Sequence, residues 1–230
     1  MEILSIIPGR KNSKGVINKN IREINGKPLI SYSIEAALNS KLIKKIVVSS
    51  DSEKILEIAN NYNVQSIKRP KHLSEDESTT IDVIKHALDV VSKENNYFPD
   101  IIILLQPTSP LRDSNDIDKA IKIFLNEENA DSLVSVCEMN HNPLWSFKID
   151  DNFLLPAFDG KFLKKRRQEL PKFFLPNGAI FIGKTKKLIE KNTFYTEKTM
   201  AFLMNNEKSL DIDTELDLKL IKCLMNNETK

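Results

Sequence analysis

Asp211 and Asp213 carry the sharpest chemical signal in this 230-residue sequence. Leu210 and Ile212 alternate with them, so in an extended segment both carboxylates stand on one face, with Cα atoms about 6–7 Å apart at strand rise. Aspartate is disfavoured in strand interiors, and two on one face repel unless a cation lies beside them. A hard divalent ion such as Mg²⁺, held by one or two carboxylates together with substrate phosphate oxygens, removes that repulsion. The competing reading makes Asp213 the N-cap of the last helix. Capping accounts for Asp213 but not for Asp211, which favours the metal role for the pair.

The second signal is a polar loop that leaves the first apolar run. Between Gly9 and Asn20 it carries Arg10, Lys11, Asn12, Ser13, Lys14, Gly15 and Lys19. Glycines let backbone N–H groups converge and the cations neutralise charge, which suits a polyphosphate; a solvated basic turn is the other reading. A third loop, Gln106 to Arg112, follows the strongest strand, Ile101 to Leu105, at the end where open α/β sheets place ligands. Its alternative is a helix start capped by Asp113 or Ser114, which explains Arg112 better than Gln106. At Ser49–Asp51 capping is the stronger reading. His72, His86 and His141 do not cluster with cysteines or acids, which speaks against a zinc site or nucleophilic triad. The run Lys164 to Arg167 reads equally as a solvated face or an anion contact.

These groups need a scaffold. Short apolar runs at 3–7, 46–48, 64–67, 101–105 and 133–136 alternate with helical patterns, the pattern of a mainly parallel α/β sheet with helices on both faces. From Asn140 to Pro176 the alternation stops, and Trp145 and several phenylalanines are scattered among charges and prolines. We read this as an extended excursion inserted between residues 1–139 and 177–226, its apolar groups buried against a second copy of the chain or folded back on its own sheet. Asp211 to Asp213 then leads into a last helix from Thr214. Net charge of +2 argues against a nucleic-acid binder, no apolar run approaches a membrane span, and the start of the chain lacks a signal-type apolar segment. Cys137 and Cys223 have no metal-ligand spacing, so a cytoplasmic setting is expected.

In order and spacing, Arg10-x-x-Ser13-Lys14-Gly15-x-x-x-Lys19-Asn20, Gln106 to Arg112, Arg167-Gln168-x-Leu170-Pro171, Pro176 to Ile180 and Asp211 to Asp217 resemble the acylneuraminate (CMP-sialic acid) cytidylyltransferases, a Rossmann-like nucleotidyltransferase family. The resemblance implies transfer of CMP from CTP to a nine-carbon 2-keto sugar acid, with Mg²⁺ and release of pyrophosphate. It implies nucleotide contacts from Arg10, Asn12, Ser13, Lys14, Lys19, Asn20, Arg69 and Thr80, with Arg10, Lys19 and Asp211 catalytic. It further implies a sugar-acid pocket lined by Gln106, Arg167, Phe194 and Tyr195, metal at Asp211 and Asp213, and a homodimer formed through the excursion. Trp145 and Leu175 stand where sialic-acid-specific members tend to carry basic residues. That departure predicts a more deoxygenated substrate, such as legionaminic or pseudaminic acid. The alternatives are an eight-carbon keto acid as substrate, or a nucleotide-binding regulator without catalysis.

Overall fold

The computed structural model describes residues 1–11, 15–75 and 77–227. Strand β1 (Ile3–Gly9) is buried on both faces, Ile3 and Ile7 on one and Leu4 and Ile6 on the other. A small ribbon, β2 (Glu23–Ile24) and β3 (Lys27–Pro28), turns at Asn25-Gly26, both at positive φ, as a tight hairpin requires. The chain then alternates through α1 (Leu29–Leu38), β4 (Lys45–Ser50), α2 (Glu53–Asn61), β5 (Gln65–Lys68), α3 (Thr80–Asn95), β6 (Ile101–Leu104), α4 (Ser114–Leu125) and β7 (Ser132–Glu138). Next come β8 (Phe147–Asp150) and β9 (Phe153–Pro156), followed by β10 (Phe174–Lys184), α5 (Thr185–Lys191), β11 (Thr199–Leu203) and α6 (Glu215–Asn227).

The main sheet has the order β11-β7-β10-β6-β1-β4-β5. It is mainly parallel, as the continuous apolar runs predict, but β10 runs antiparallel to both β6 and β7. The reason is geometric: Phe174 of β10 pairs with Glu138, the last residue of β7, so the excursion leaves and returns at the same end of the sheet. A strand that starts from there must run backwards.

Ile30, Ile34, Ile55, Ile117, Ile121 and Phe124 of α1, α2 and α4 pack on one face. Ile81, Ile84, Leu88 and Val91 of α3, with Leu188 of α5, pack on the other. A third cluster joins Val16, Ile24, Leu29, Ile212, Leu218 and Ile221. Each such side chain contributes about 1.5–3 kcal/mol on full burial, and this cluster clamps the basic loop, the Asp211–Asp213 segment and α6 together.

Arg112 is structural. It is 1% exposed, and its guanidinium donates to Ser33 Oγ at 2.7 Å and to the Ala179 carbonyl at 3.2 Å, tying the 106–112 loop to α1 and β10. Burial lowers it to about 10, against the opposing pull of Asp116 and Asp113.

In the excursion, β8 and β9 form a separate ribbon in which every residue is exposed. Ile149 and Phe153 reach 77% and 73% exposure. Among the described residues no helix is long and apolar enough to cross a membrane.

Candidate active site

The strand order reverses at β1, with β4 and β5 on one side and β6 on the other. A crevice is expected outside the carboxyl ends of the strands at such a switch point, and a cavity of about 480 Å³ opens there. Its lining brings together Arg10, Lys19, Asn20, Arg69, Thr80, Gln106, Asp211 and Asp213, residues separated by as much as the length of the sheet in sequence.

The carboxylate segment is held by its middle. Ile212 is fully buried in the third cluster and its N–H donates to the Thr108 carbonyl at 3.0 Å, so Asp211 and Asp213 turn the other way, as their alternation predicts. The N-cap alternative for Asp213 is corrected. Thr214 caps α6: its Oγ1 accepts from Asp217 N at 3.2 Å, and the Asp217 carboxylate accepts from Thr214 N at 2.7 Å and from Asp213 N at 3.1 Å. The Asp213 side chain is thereby left 75% exposed. Asp211 Oδ1 is buried without a hydrogen-bond partner. Burial pushes the Asp211 carboxyl above its ordinary range, with Thr108 and Lys19 opposing and Asp213 and Asp217 adding to the rise.

An orphaned, buried carboxylate oxygen beside an exposed carboxylate, both oxygen donors, fits a hard divalent cation. Among the described residues no group of three or more His, Cys, Asp or Glu gathers. A cation there would rest on these two carboxylates and on substrate oxygens.

The cationic side of the cavity is equally fixed. Lys19, 8% exposed, donates its ammonium to the Ile212 carbonyl and to Asp213 Oδ1, the latter at 3.2 Å. Asn20 Nδ2 donates to the Arg10 carbonyl at 2.9 Å, so Asn20 orients the loop backbone. Lys11 N donates to Asp51 Oδ1 at 2.8 Å. The capping reading of Asp51 is corrected accordingly, since the N-cap position of α2 is Ser52. Arg69 donates through Nη2 to the Ser49 carbonyl at 2.7 Å and through Nε to Ser49 Oγ at 3.2 Å. Burial lowers the Arg69 guanidinium to about 10, Asp51 opposing and Arg10 adding. It remains charged at neutral pH, held rigidly toward the cavity. Asn12, Ser13 and Lys14 lie outside the described residues.

Gly15 is where the two halves meet: a Cβ there would run into the Asp213 carbonyl oxygen. Near Asp211 and Gln106, the β10–β7 register shifts between Pro176 and Phe181. Within that bulge Gly178 takes φ +75°, and a Cβ would lie 2.7 Å from Gln106 Oε1 and 3.9 Å from Asp211 Cγ. Asn177, buried, accepts from Ser135 Oγ at 2.5 Å and donates to Ser209 Oγ at 2.9 Å. The bulge is thus tied both to β7 and to the segment that leads into Asp211.

Three of the expected sugar-acid residues are not brought to this cavity. Phe194 is a core residue: 5% exposed, its ring 5.4 Å from that of Phe181, its carbonyl accepting from Ser132 and Thr199 at the amino ends of β7 and β11. Tyr195 beside it is 57% exposed and does not line the cavity. Arg167 lies in a short 3-10 turn of the excursion, beside a separate hollow with Glu138 and Asn142. Their adjacency to apolar runs gave no sign of which end of the sheet they would reach. Conversely, Leu73, Ser74, Glu75, Ser78 and Thr79 line the cavity, and no spacing in the sequence marks them.

A family model described as cytidylyltransferase matches residues 4–229 of the chain. An N-acylneuraminate cytidylyltransferase of Escherichia coli O18:K1:H7 is 37% identical over 219 residues, 95% of this chain and 51% of that protein, so the chain spans about half the length of that relative. A CMP-N,N'-diacetyllegionaminic acid synthase of Legionella pneumophila is 39% identical over 231 residues, 98% of this chain and 97% of that protein. Among solved structures, a CMP:2-keto-3-deoxy-manno-octonic acid synthetase complexed with CTP superposes with a TM-score of 0.74 at 15% identity, over 99% of this chain and 100% of the other. At that identity the likeness concerns the fold.

Proposed function

Because the chain belongs to the cytidylyltransferase family, we propose that it transfers CMP from CTP to the anomeric hydroxyl of a nine-carbon 2-keto sugar acid and releases pyrophosphate. The observation that carries this reading is the convergence of Arg10, Lys19 and Arg69 with Asp211, Asp213 and Gln106 on one cavity at the switch point. In the reaction the anomeric oxygen bonds to the α-phosphorus as the bond to the leaving pyrophosphate breaks. Arg10, Lys14 and Lys19 of the loop, with Arg69, neutralise the triphosphate, and Asn12 and Ser13 offer it hydrogen bonds. Asn20 sets the loop backbone, and Thr80, in the cavity lining, contacts the nucleotide. Gln106, braced by Gly178, presents its amide to the acceptor. Such fixed charges need no reorganisation during the reaction and so stabilise the transition state more than water does. Asp211 and Asp213 would hold Mg²⁺, which when bound supplies charge neutralisation at the phosphate oxygens.

The proposed assembly is a homodimer through residues 140–176. The solvent-facing cross-strand pair Ile149 and Leu154, with Phe153 exposed on the other face, supports it, since exposed apolar surface on a ribbon marks a contact site, and the excursion would carry Arg167 to the partner's cavity. Ile149→Asp with Phe153→Asp should convert the dimer to a monomer in light scattering and lower turnover, with melting of the main domain unchanged. A dimer that survives both charges would sink this interface. Free thiols at Cys137 and Cys223 support a reducing, cytoplasmic setting.

The acceptor is proposed to be a deoxygenated nonulosonic acid, legionaminic or pseudaminic. Leu175 is 54% exposed and Trp145 spends its indole N–H on the Phe162 carbonyl at 3.2 Å, so both offer apolar surface rather than cations. Pyrophosphate release with CTP and Mg²⁺ should be fastest with one of these acids, slower with N-acetylneuraminic acid and an eight-carbon keto acid, and absent with ATP, GTP or UTP. Preference for N-acetylneuraminic acid would overturn the acceptor. No release with any acid would favour the regulator.

A further inference from the structure

We propose that Lys19 competes with the divalent cation for Asp213, and that this one ammonium group makes binding of cation and triphosphate cooperative. The proposal rests on the CTP and metal reading above. Lys19 donates to the carbonyl of Ile212, the residue between the two aspartates, and to Asp213 Oδ1 at 3.2 Å. It is thus the counter-charge that a close pair of carboxylates demands, supplied by the protein itself. A divalent cation approaching Asp213 meets that ammonium as a like charge and as a rival for the same oxygen.

Triphosphate changes the balance. An ammonium has three donors, and Lys19 lines the cavity, so phosphate oxygens offer an alternative to Asp213. The exchange keeps the anchor to Ile212, whose N–H is held by the Thr108 carbonyl at 3.0 Å and whose side chain is fully buried. Nζ pivots from carboxylate to phosphate without leaving the backbone. Phosphate takes the ammonium and frees the carboxylate, while the cation takes the carboxylate and frees the ammonium. Each ligand therefore favours the other by the same factor.

The test is Mn²⁺ alone, without nucleotide, titrated into the full chain and read by the electron paramagnetic resonance of free Mn²⁺. Lys19→Met and Lys19→Gln should each bind Mn²⁺ about tenfold more tightly than the parent, a change of about 1.4 kcal/mol. Asp213→Asn should bind it more weakly, and Lys19→Met should give no gain in the Asp213→Asn background. Two replacements of different polarity guard against one failing to fold, checked by circular dichroism. If both Lys19 variants bind Mn²⁺ no more tightly while Asp213→Asn weakens it, the competition is wrong and the metal site stands. If Mn²⁺ binding is indifferent to both Asp211→Asn and Asp213→Asn, the metal reading fails and this proposal falls with it.

Discussion

Asp211→Asn should leave a folded protein whose turnover is lowered on the order of 10²–10³-fold and whose melting temperature, in metal-free buffer, equals or exceeds that of the parent. The loss follows from removing one of the paired carboxylates of the 211–213 segment that line the cavity. The stability follows from its surroundings. Asp211 Oδ1 is buried with no hydrogen-bond partner, and burial raises its carboxyl above the ordinary value. A raised folded-state pKa means that the native chain holds the proton more tightly than the unfolded one. Stability then falls as pH rises from about 3.9, the unfolded value, through the raised folded value, and the loss is complete above it. Asparagine carries no such loss. Turnover and thermal melting with and without Mg²⁺ check both halves. Near-parent turnover would remove Asp211 from the chemistry, and a sharp drop in melting temperature would make it a structural residue.

Gly15→Ala should lower turnover by about 10²-fold or more, the scale attached to a misplacement of about 1 Å in a catalytic constellation. The methyl group would occupy the position of the Asp213 carbonyl oxygen, and backbone on both sides leaves no flexible side chain to give way. The basic loop must withdraw, carrying Lys19 away from Ile212 and Asp213. Val16 and Ile212 share the third hydrophobic cluster, so the strain also reaches stability, at about 1–3 kcal/mol. The main sheet lies apart from that cluster and its circular dichroism should be unchanged. Asp213→Ala offers a control: it removes the carboxylate but not the carbonyl, so it cannot rescue Gly15→Ala. Parent-like turnover in the single variant would show that loop and carboxylate segment do not meet as closely as described.

What the sequence determined by itself is what burial period records. Continuous apolar runs such as Ile101 to Leu105 dictate strands covered on both faces, and β6 is buried throughout. The alternation Asp211-Ile212-Asp213 dictates that the two acids share a side, because Ile212 must go inward. The aperiodic stretch after Asn140 announces apolar groups that the main core does not take, and β8 and β9 remain exposed.

Tertiary structure decided the partners. Lys19 and Ile212 lie 193 positions apart, and no local pattern links them; sheet order and the third cluster do. Phe194 and Tyr195 are adjacent in sequence, yet one enters the core and the other faces solvent, because the chain turns into β11 at the amino end of the sheet. The reversal of β10 follows from where the excursion returns. Local period reports how deeply a side chain is buried. Which distant group it meets depends on the order in which strands are laid beside β1, and that order placed a lysine, not only a future ligand, against Asp213 and the Ile212 carbonyl.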